Sequence, residues 1–150
     1  MKKYTFRLEP VLKLRKLKEE TCRTELGQML LELNRIDDQL NHDKEEIGNF
    51  YKIQEGNLKQ GMTGAQLQAF PMLVSAKNRN IELLEEEREN HLKKVEEKKL
   101  ELAQLRGDLK VIENMKQKNF DEYRKAVNKE IDQKVEEQTQ NWLQFKDEKA

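Results

Sequence analysis

Apolar residues recur along the chain at alternating spacings of four and three, and this period constrains the fold more than any other feature of the sequence. In the first run, ten of thirteen positions are apolar, and the residues between them are mostly Lys, Glu, Gln, Asn and Asp. The run comprises Leu8, Leu12, Arg15, Glu19, Cys22, Leu26, Met29, Leu33, Ile36, Leu40, Asp43, Ile47 and Phe50. Such a seven-residue repeat predicts an α-helix that packs against another helix through a narrow apolar seam.

A second run with the same spacing follows, from Leu67 to Ile112. Ten of its fourteen positions are apolar, and Arg88, His91 and Lys98 form a polar patch within it. Beyond Ile112 the apolar residues continue along one helical face in a shifted register, as after a stutter in a coiled coil. These later residues are Phe120, Tyr123, Val127, Ile131, Val135, Trp142 and Phe145. The pattern therefore predicts a second helix that is longer than the first.

A chain reversal separates the two runs. Gly56, Gly61 and Gly64 fall within nine residues, and glycines both break helices and permit tight turns. Thr63 is a candidate N-cap of the second helix, because its hydroxyl can accept a hydrogen bond from a free backbone N–H. We therefore predict a single coiled-coil domain over residues 1–150. Its parts are a helix at about 8–56, a turn at about 57–63 and a helix at about 64–145.

The predicted fold class is all-α, a long antiparallel two-helix coiled-coil hairpin with an overhanging C-terminal helix. A reversal about residue 60 places Leu8 opposite Ile112, so that roughly thirty C-terminal residues have no partner within the chain. Their apolar face, from Phe120 to Phe145, either frays or is covered by another protein. A hairpin monomer and an extended antiparallel dimer share one heptad pattern, so the oligomeric state stays open.

The composition excludes a sizeable globular core. Charged residues make up 39% of the chain and apolar residues 35%, against about 25% and about 45–50% in compact domains. The net charge is zero, but the first eighteen residues carry seven basic side chains against Glu9 alone. This segment is either a docking site for an acidic protein surface or a merely soluble helix end. A nucleic-acid site is not expected, because the basic residues are not interleaved with aromatic ones.

No sequence motif indicates catalysis, a cofactor or a metal site. Glycine-rich phosphate loops, CxxC pairs and HExxH are absent, and two helices offer no enclosed pocket. We expect Cys22 to fill space in the seam, and His42 and His91 to be solvated or seam residues rather than metal ligands. One cysteine fits a reducing compartment, and no apolar run reaches the ~18 residues of a membrane span. These features predict a cytoplasmic, non-enzymatic protein without direct membrane insertion.

Residues 60–76 contain no charged side chain, although the chain is otherwise rich in Lys and Glu. Phe70, Leu73 and Val74 cannot all face one seam, and Pro71 removes a backbone hydrogen bond and should kink the helix. The stretch either packs on itself or binds a partner. The second interpretation is favoured, because the apolar residues exceed what two helices cover at their junction.

The N-terminal segment resembles that of the FliJ family, small coiled-coil proteins of the flagellar type III export apparatus. Members typically begin with Phe-x-Leu-x-x-Val-Leu-x-x-Arg, followed by Glu-rich sequence. The matching residues are Phe6, Leu8, Val11, Leu12, Arg15, Glu19, Glu20, Leu26, and Cys22 where alanine is usual. GMT at 61–63 is similar to the family's turn, and KNFDEYRKAVNKE at 118–130 is similar to its C-terminal Tyr-Arg and Glu-rich segment.

The resemblance implies a structural coupling protein similar to the central stalk of rotary ATPases. Its open end, with both termini, would insert into a hexameric export ATPase. Its turn end would engage the cytoplasmic domain of the export gate, at the cytoplasmic face of the inner membrane. Carried over by position, the gate contact falls on Phe70, Leu73 and Lys77. The ATPase contact falls on Leu8, Leu12, Arg15, Lys116, Phe120, Tyr123, Val127 and Ile131.

Two other functions stay open. The protein could be a chaperone or adaptor that escorts export substrates or their chaperones with the apolar face at about 120–145. It could also be a scaffold that self-associates along its length. The sequence also leaves open which partner binds which end, and whether the system is flagellar or a related virulence secretion system.

Overall fold

The computed structural model describes residues 2–149, which form two long α-helices. Helix α1 spans Glu9–Gln60 and helix α2 spans Gly64–Glu148. The helices pack against each other as an antiparallel hairpin, so the predicted all-α fold class is confirmed. Contacts divide the described residues into two compact units. The turn unit is residues 20–103, and the terminal unit is residues 2–19 together with 104–149.

The connection between the helices is three residues long. Helix α1 continues through Gly56 to Gln60, so residues 61–63 make the reversal for which the sequence suggested 57–63. Gly61 has a φ of 92°, and no other described residue has a positive φ. Only glycine adopts this region without a steric penalty, which makes Gly61 the residue that ends α1.

Helix α2 begins with a reciprocal capping box, and Thr63 is its N-cap as predicted. The backbone N–H of Gln66 donates to Thr63 Oγ1 at 3.3 Å, and the N–H of Thr63 donates to Gln66 Oε1 at 3.2 Å. Each side chain thus satisfies a backbone donor that the first turn of a helix leaves without a partner. The box fixes the start of α2 directly after the turn.

In the turn unit, the residues at the predicted seam positions face the partner helix. All of them are buried or half-buried. Ile36, Leu40 and Ile81 form a buried cluster, against which Ile47 and Leu84 pack. Burying side chains of this size stabilises the folded state by about 1.5–3 kcal/mol each. The heptad pattern therefore gives the correct face of both helices in this unit.

Ion pairs between the helices establish the antiparallel register of the turn unit. As the residue number falls along α1, its partner's number rises along α2. The pairs are Asp43 with Lys77, Asp37 with Arg88, and Glu25 with Lys98. In each of these pairs α1 supplies the acid and α2 the base. Three of the polar residues that interrupt the apolar run of α2 are thus matched by acids on α1: Lys77, Arg88 and Lys98.

The terminal unit pairs the start of α1 with α2 in a register later than the predicted one. Lys116 forms an ion pair of 2.9 Å with Glu9, whereas a reversal about residue 60 places Leu8 opposite Ile112. The shift arises because α1 runs to Gln60 and the chain reverses only at 61–63.

A segment before α1, the N-terminal arm of residues 2–8, packs on α2 within the terminal unit. The ring of Tyr4 lies 5.1 Å from that of Phe120 and 5.2 Å from that of Tyr123, between ring centroids. Tyr4 also donates a hydrogen bond to the carbonyl of Lys116, and Tyr123 donates one to the carbonyl of Lys2. The arm thus packs on the first residues of the apolar face that starts at Phe120, although Phe120 itself remains 37% exposed.

Beyond the arm, α2 continues without cover from the described part of the chain. Every residue from 128 to 149 is exposed. The overhang therefore begins later than the sequence predicts, but it retains most of the apolar face. Among residues 2–149, neither helix contains a stretch long and apolar enough to cross a membrane.

Candidate partner-binding sites

The uncharged stretch at 60–76 presents apolar side chains to solvent at the start of α2. Met72 is 73% exposed and Leu73 is 49% exposed, whereas Phe70 is half-buried. We call Phe70, Met72 and Leu73 the turn surface. Side chains of this kind at an uncharged helix end are typical of a protein-binding site.

Phe70 separates two hollows in the turn unit. One, of about 220 Å³, is lined by residues on both sides of the turn: Asn57, Met62, Gln66, Ala69, Phe70 and Leu73. The other is an open groove of about 650 Å³ between the helices, lined by Tyr51, Pro71 and Val74 among others. Helix α2 continues through Pro71, and the kink expected there stays a prediction.

Lys77, the third residue assigned to the gate contact, is held in the seam. Its ammonium group forms ion pairs with Asp43, at 3.3 Å, and with Glu46. The Asp43 side chain is only 4% exposed, and Gln39 also donates a hydrogen bond to it, at 3.1 Å. Hydrogen bonds to Glu46 and Asp43 raise the pKa of Lys77. In this structure the Lys77 charge therefore joins the helices and is not displayed beside Phe70 and Leu73.

Four of the residues assigned to the ATPase contact lie within the packed part of the terminal unit. Leu12 is 2% exposed, and Leu8 is half-buried. Arg15 donates a hydrogen bond of 2.7 Å to the carbonyl of Asp108. The side chain of Lys116 pairs with Glu9, and its hydrogen bond lowers the pKa of that carboxyl. These side chains hold α1 and α2 together in this unit.

The other four assigned residues follow each other along α2, and Phe120 and Ile131 are similarly exposed, at 37% and 39%. Phe120 and Tyr123 contact Tyr4 in the aromatic cluster. Val127 is half-buried and Ile131 is exposed. Of the predicted ATPase contacts, Ile131 is thus the one that α1 and the arm leave uncovered.

The uncovered part of α2 carries a larger apolar surface than the assigned residues suggest. Its large apolar side chains are between 39% and 58% exposed. We call this set the C-terminal surface: Ile131, Val135, Trp142, Leu143 and Phe145. The amino groups of Lys146 and Lys149 lie over the Trp142 and Phe145 rings, at 5.1 Å and 4.7 Å from the centroids. The contact of Lys146 lies within α2 and that of Lys149 directly after its end, and both leave the rings exposed.

Basic side chains surround the start of α1 in the terminal unit. They are exposed and carry the excess charge of the first eighteen residues: Lys2, Lys3, Arg7, Lys13, Lys16 and Lys18. Glu9 does not offset them fully, because it is paired with Lys116. A positive surface of this kind accelerates encounter with an acidic partner.

Tyr4 is a residue of the terminal unit that the sequence does not predict, because it lies before the first heptad, where periodicity gives no signal. Met72 is one of the apolar residues in the uncharged stretch that exceed what two helices cover. Its exposed position between Phe70 and Leu73 follows from the helical period.

Comparison with protein-family models gives a match to the model described as the flagellar FliJ protein, over residues 3–136. The match includes the N-terminal arm except its first residue, all of α1, the turn and most of α2. It ends between Val135 and Trp142, within the C-terminal surface. Comparisons with curated proteins and with solved structures found no match.

Proposed function

The chain belongs to the flagellar FliJ family, and we propose that it is a non-enzymatic coupling protein of the flagellar export apparatus. Membership of the family by itself implies a role in flagellar protein export. In the proposal, the terminal unit binds a hexameric export ATPase and the turn unit binds the cytoplasmic domain of the export gate. The protein then acts in the cytoplasm, at the inner face of the membrane that holds the gate.

The observation that carries the proposal is the C-terminal surface. A lone helix gains little stability without a partner for its apolar face. Here Ile131, Val135 and Trp142 are exposed along a helix that neither α1 nor the arm covers. Burial against another protein removes this surface from water, and aromatic side chains such as Trp142 commonly dominate binding energy. The exposed basic residues at the start of α1 add attraction for an acidic partner.

The coupling mechanism follows from symmetry. One hairpin bound to six equivalent subunits contacts them unequally. A contact that differs between nucleotide states shifts the population of those states by the difference in affinity. The protein thereby speeds ATP turnover without supplying a catalytic group.

The turn surface supports the contact with the gate. Met72 and Leu73 are exposed, and Phe70 lies between two hollows that can accept apolar side chains. No charged residue lies between residues 60 and 76, so a partner meets no desolvation penalty for charge there. Lys77 contributes to this site indirectly, because its ion pairs with Asp43 and Glu46 hold α2, which carries the turn surface, against α1.

The first test measures ATP hydrolysis by the cognate export ATPase with and without this protein. We expect the wild type to raise turnover and the double variant Ile131→Ser/Val135→Ser to lose the effect, because both side chains are exposed and their loss leaves the seam intact. The matched control is Leu83→Ser/Leu100→Ser, which removes two apolar side chains of α2 that are 57% and 72% exposed. A wild type that neither raises turnover nor co-elutes with the ATPase contradicts the proposal.

A chaperone or adaptor function is the second candidate, and one observation favours it. Residues 138–145 are uncharged and contain the exposed Trp142, Leu143 and Phe145. Under this function, Trp142→Ser/Phe145→Ser abolishes binding of export chaperones, measured by calorimetry, and leaves ATPase stimulation intact. Loss of stimulation without any loss of chaperone binding assigns this end of α2 to the ATPase instead.

A further inference from the structure

Three side chains with metal-binding atoms meet across the two helices of the turn unit. They are Glu32 on α1 and Glu87 and His91 on α2, and one such atom of each lies within 4.8 Å of the others. Glu87 and His91 are one helical turn apart and therefore project from the same face. Glu32 and His91 are half-buried and Glu87 is exposed. The group is thus built by both helices and remains open to solvent on one side.

His91 is the residue of this group that lies at a seam position. Like Lys98, which pairs with Glu25 of α1 and Glu101 of α2, it faces two carboxylates, one from each helix. Lys98 supplies a cation at its position, whereas His91 supplies an imidazole ring, which is a common metal ligand. Two carboxylates so close repel each other unless a cation lies between them. The position therefore favours a positive charge, which Arg35 supplies to Glu32 in this structure and which a metal ion between the two carboxylates would supply to both.

The donor atoms suit a divalent transition metal. Imidazole nitrogen and carboxylate oxygen together bind Zn²⁺ and its neighbours, whereas Mg²⁺ and Ca²⁺ prefer oxygen alone. Around a tetrahedral Zn²⁺ with bonds of about 2.0–2.2 Å, neighbouring donors lie about 3.3–3.6 Å apart. The three atoms all lie within 4.8 Å of one another, so side-chain rotation has to close this separation to that spacing. We propose that Glu32, Glu87 and His91 bind one divalent transition-metal ion, which links α1 to α2 and leaves a coordination position for water.

Arg35 is the competitor of the metal at this site. It lies on the same face of α1 as Glu32 and donates hydrogen bonds to Glu32 Oε1 from Nε, at 3.2 Å, and from Nη2. That hydrogen bond, and more weakly the charge of His91, lower the pKa of Glu32. The guanidinium group also lies within electrostatic reach of Glu87. Arg35 therefore competes with a metal ion for the negative charge of Glu32, which keeps the affinity moderate.

The test is calorimetric titration of the metal-stripped, full-length protein with zinc chloride. We expect one ion per chain. His91→Ala and Glu87→Gln each weaken binding at least about tenfold, since loss of a ligand costs no less than loss of a group that orients one. Arg35→Gln strengthens binding, because it frees Glu32 and removes a positive charge.

His42 provides the matched control. It pairs with Glu46 one turn along α1, at 3.0 Å, but belongs to no group of three metal-binding side chains among the described residues. His42→Ala therefore leaves zinc affinity unchanged. Equal losses in His42→Ala and His91→Ala show dispersed binding to histidine and overturn the proposal.

Thermal unfolding, followed by circular dichroism, gives an independent measurement. Zinc raises the Tm of the wild type and of Arg35→Gln and leaves that of His91→Ala unchanged, since a ligand that binds only the folded state stabilises it. Circular dichroism spectra recorded with a chelator check that every variant is folded. If His91→Ala does not fold, Glu87→Gln, at an exposed position, serves as the second variant. No binding by the wild type contradicts the proposal, as does an Arg35→Gln variant of unchanged affinity.

Discussion

Lys77 occupies a seam position at which the heptad pattern calls for an apolar side chain, and its partners explain why. Asp43 is nearly buried and Glu46 half-buried on the opposite helix. An ammonium group between them removes the cost of leaving two carboxylates close together in a partly dry seam. A single residue thus satisfies two acids, as Lys98 does further along α2 with Glu25 and Glu101.

Stability of the turn unit should depend on pH through Glu46. The hydrogen bond from Lys77 lowers the pKa of Glu46 below its ordinary value of 4.5. The folded state therefore binds a proton there less readily than the unfolded state. The stabilisation is present above pH 4.5 and is lost as the pH falls through the lowered pKa. We expect Glu46→Gln to unfold at lower urea concentration than the wild type at pH 7, with the difference shrinking towards pH 3.

Glu86→Gln is the control for this prediction, because Glu86 is an exposed glutamate of α2. It should match the wild type in urea unfolding at both pH values. An equal effect of the two substitutions at pH 7 contradicts a specific role of the Glu46 and Lys77 ion pair.

At the scale of the element, the turn depends on one backbone conformation and one pair of side chains. Gly61 supplies the positive φ that ends α1, and Thr63 and Gln66 start α2 two residues later. A connection this short leaves little freedom in how the two helices meet. The register of the ion pairs in the turn unit follows from it.

Two glycine substitutions should have opposite effects on stability. An added Cβ meets no atom within 4 Å at either Gly61 or Gly48, so the space around them is equivalent. At Gly61 the positive φ makes Gly61→Ala strained, at a cost of about 1–3 kcal/mol. Gly48 lies inside α1, and Gly48→Ala should stabilise by about 0.5–1 kcal/mol. Urea unfolding measures both, and destabilisation by both substitutions contradicts this account of the turn.

The sequence predicted the seam and the N-cap because both depend on neighbours along the chain. Leu12, Ile36 and Val95 are buried as the heptad spacing requires, since that spacing is a local property of a helix. The roles of Lys77 and Tyr4 were not predictable in this way. The first requires the register of α1 against α2, which depends on where the turn begins. The second depends on a non-helical segment, whose contacts no period encodes.

At the scale of the whole molecule, most ion pairs between the two helices have the acid on α1 and the base on α2, the pair of Lys44 with Glu85 being the reverse. In several ion pairs between them α1 contributes the acid, as Asp37 and Glu25 do, and α2 contributes the base. Pairing of α1 with a second α1 would bring acids towards acids, which is unfavourable. The short turn also holds α2 beside α1 at a high effective concentration.

We therefore expect a monomer in solution. Light scattering coupled to gel filtration should give a mass near 17.9 kDa, independent of protein concentration. A mass of twice this value or more at micromolar concentration favours the scaffold function, or an antiparallel dimer, over a hairpin that closes on itself.

The arm contact between Lys2 and Tyr123 joins residues that are 121 positions apart, whereas Asp43 and Lys77 are separated by 34. The entropy lost in closing a loop grows with its length, so contacts near the turn form first and the helices zip from there. During synthesis, the turn unit can close while the end of α2 is still inside the ribosome. The arm can pack on α2 only after the residues that it covers have left the ribosome. The surface proposed to bind the ATPase is thus completed after the turn unit.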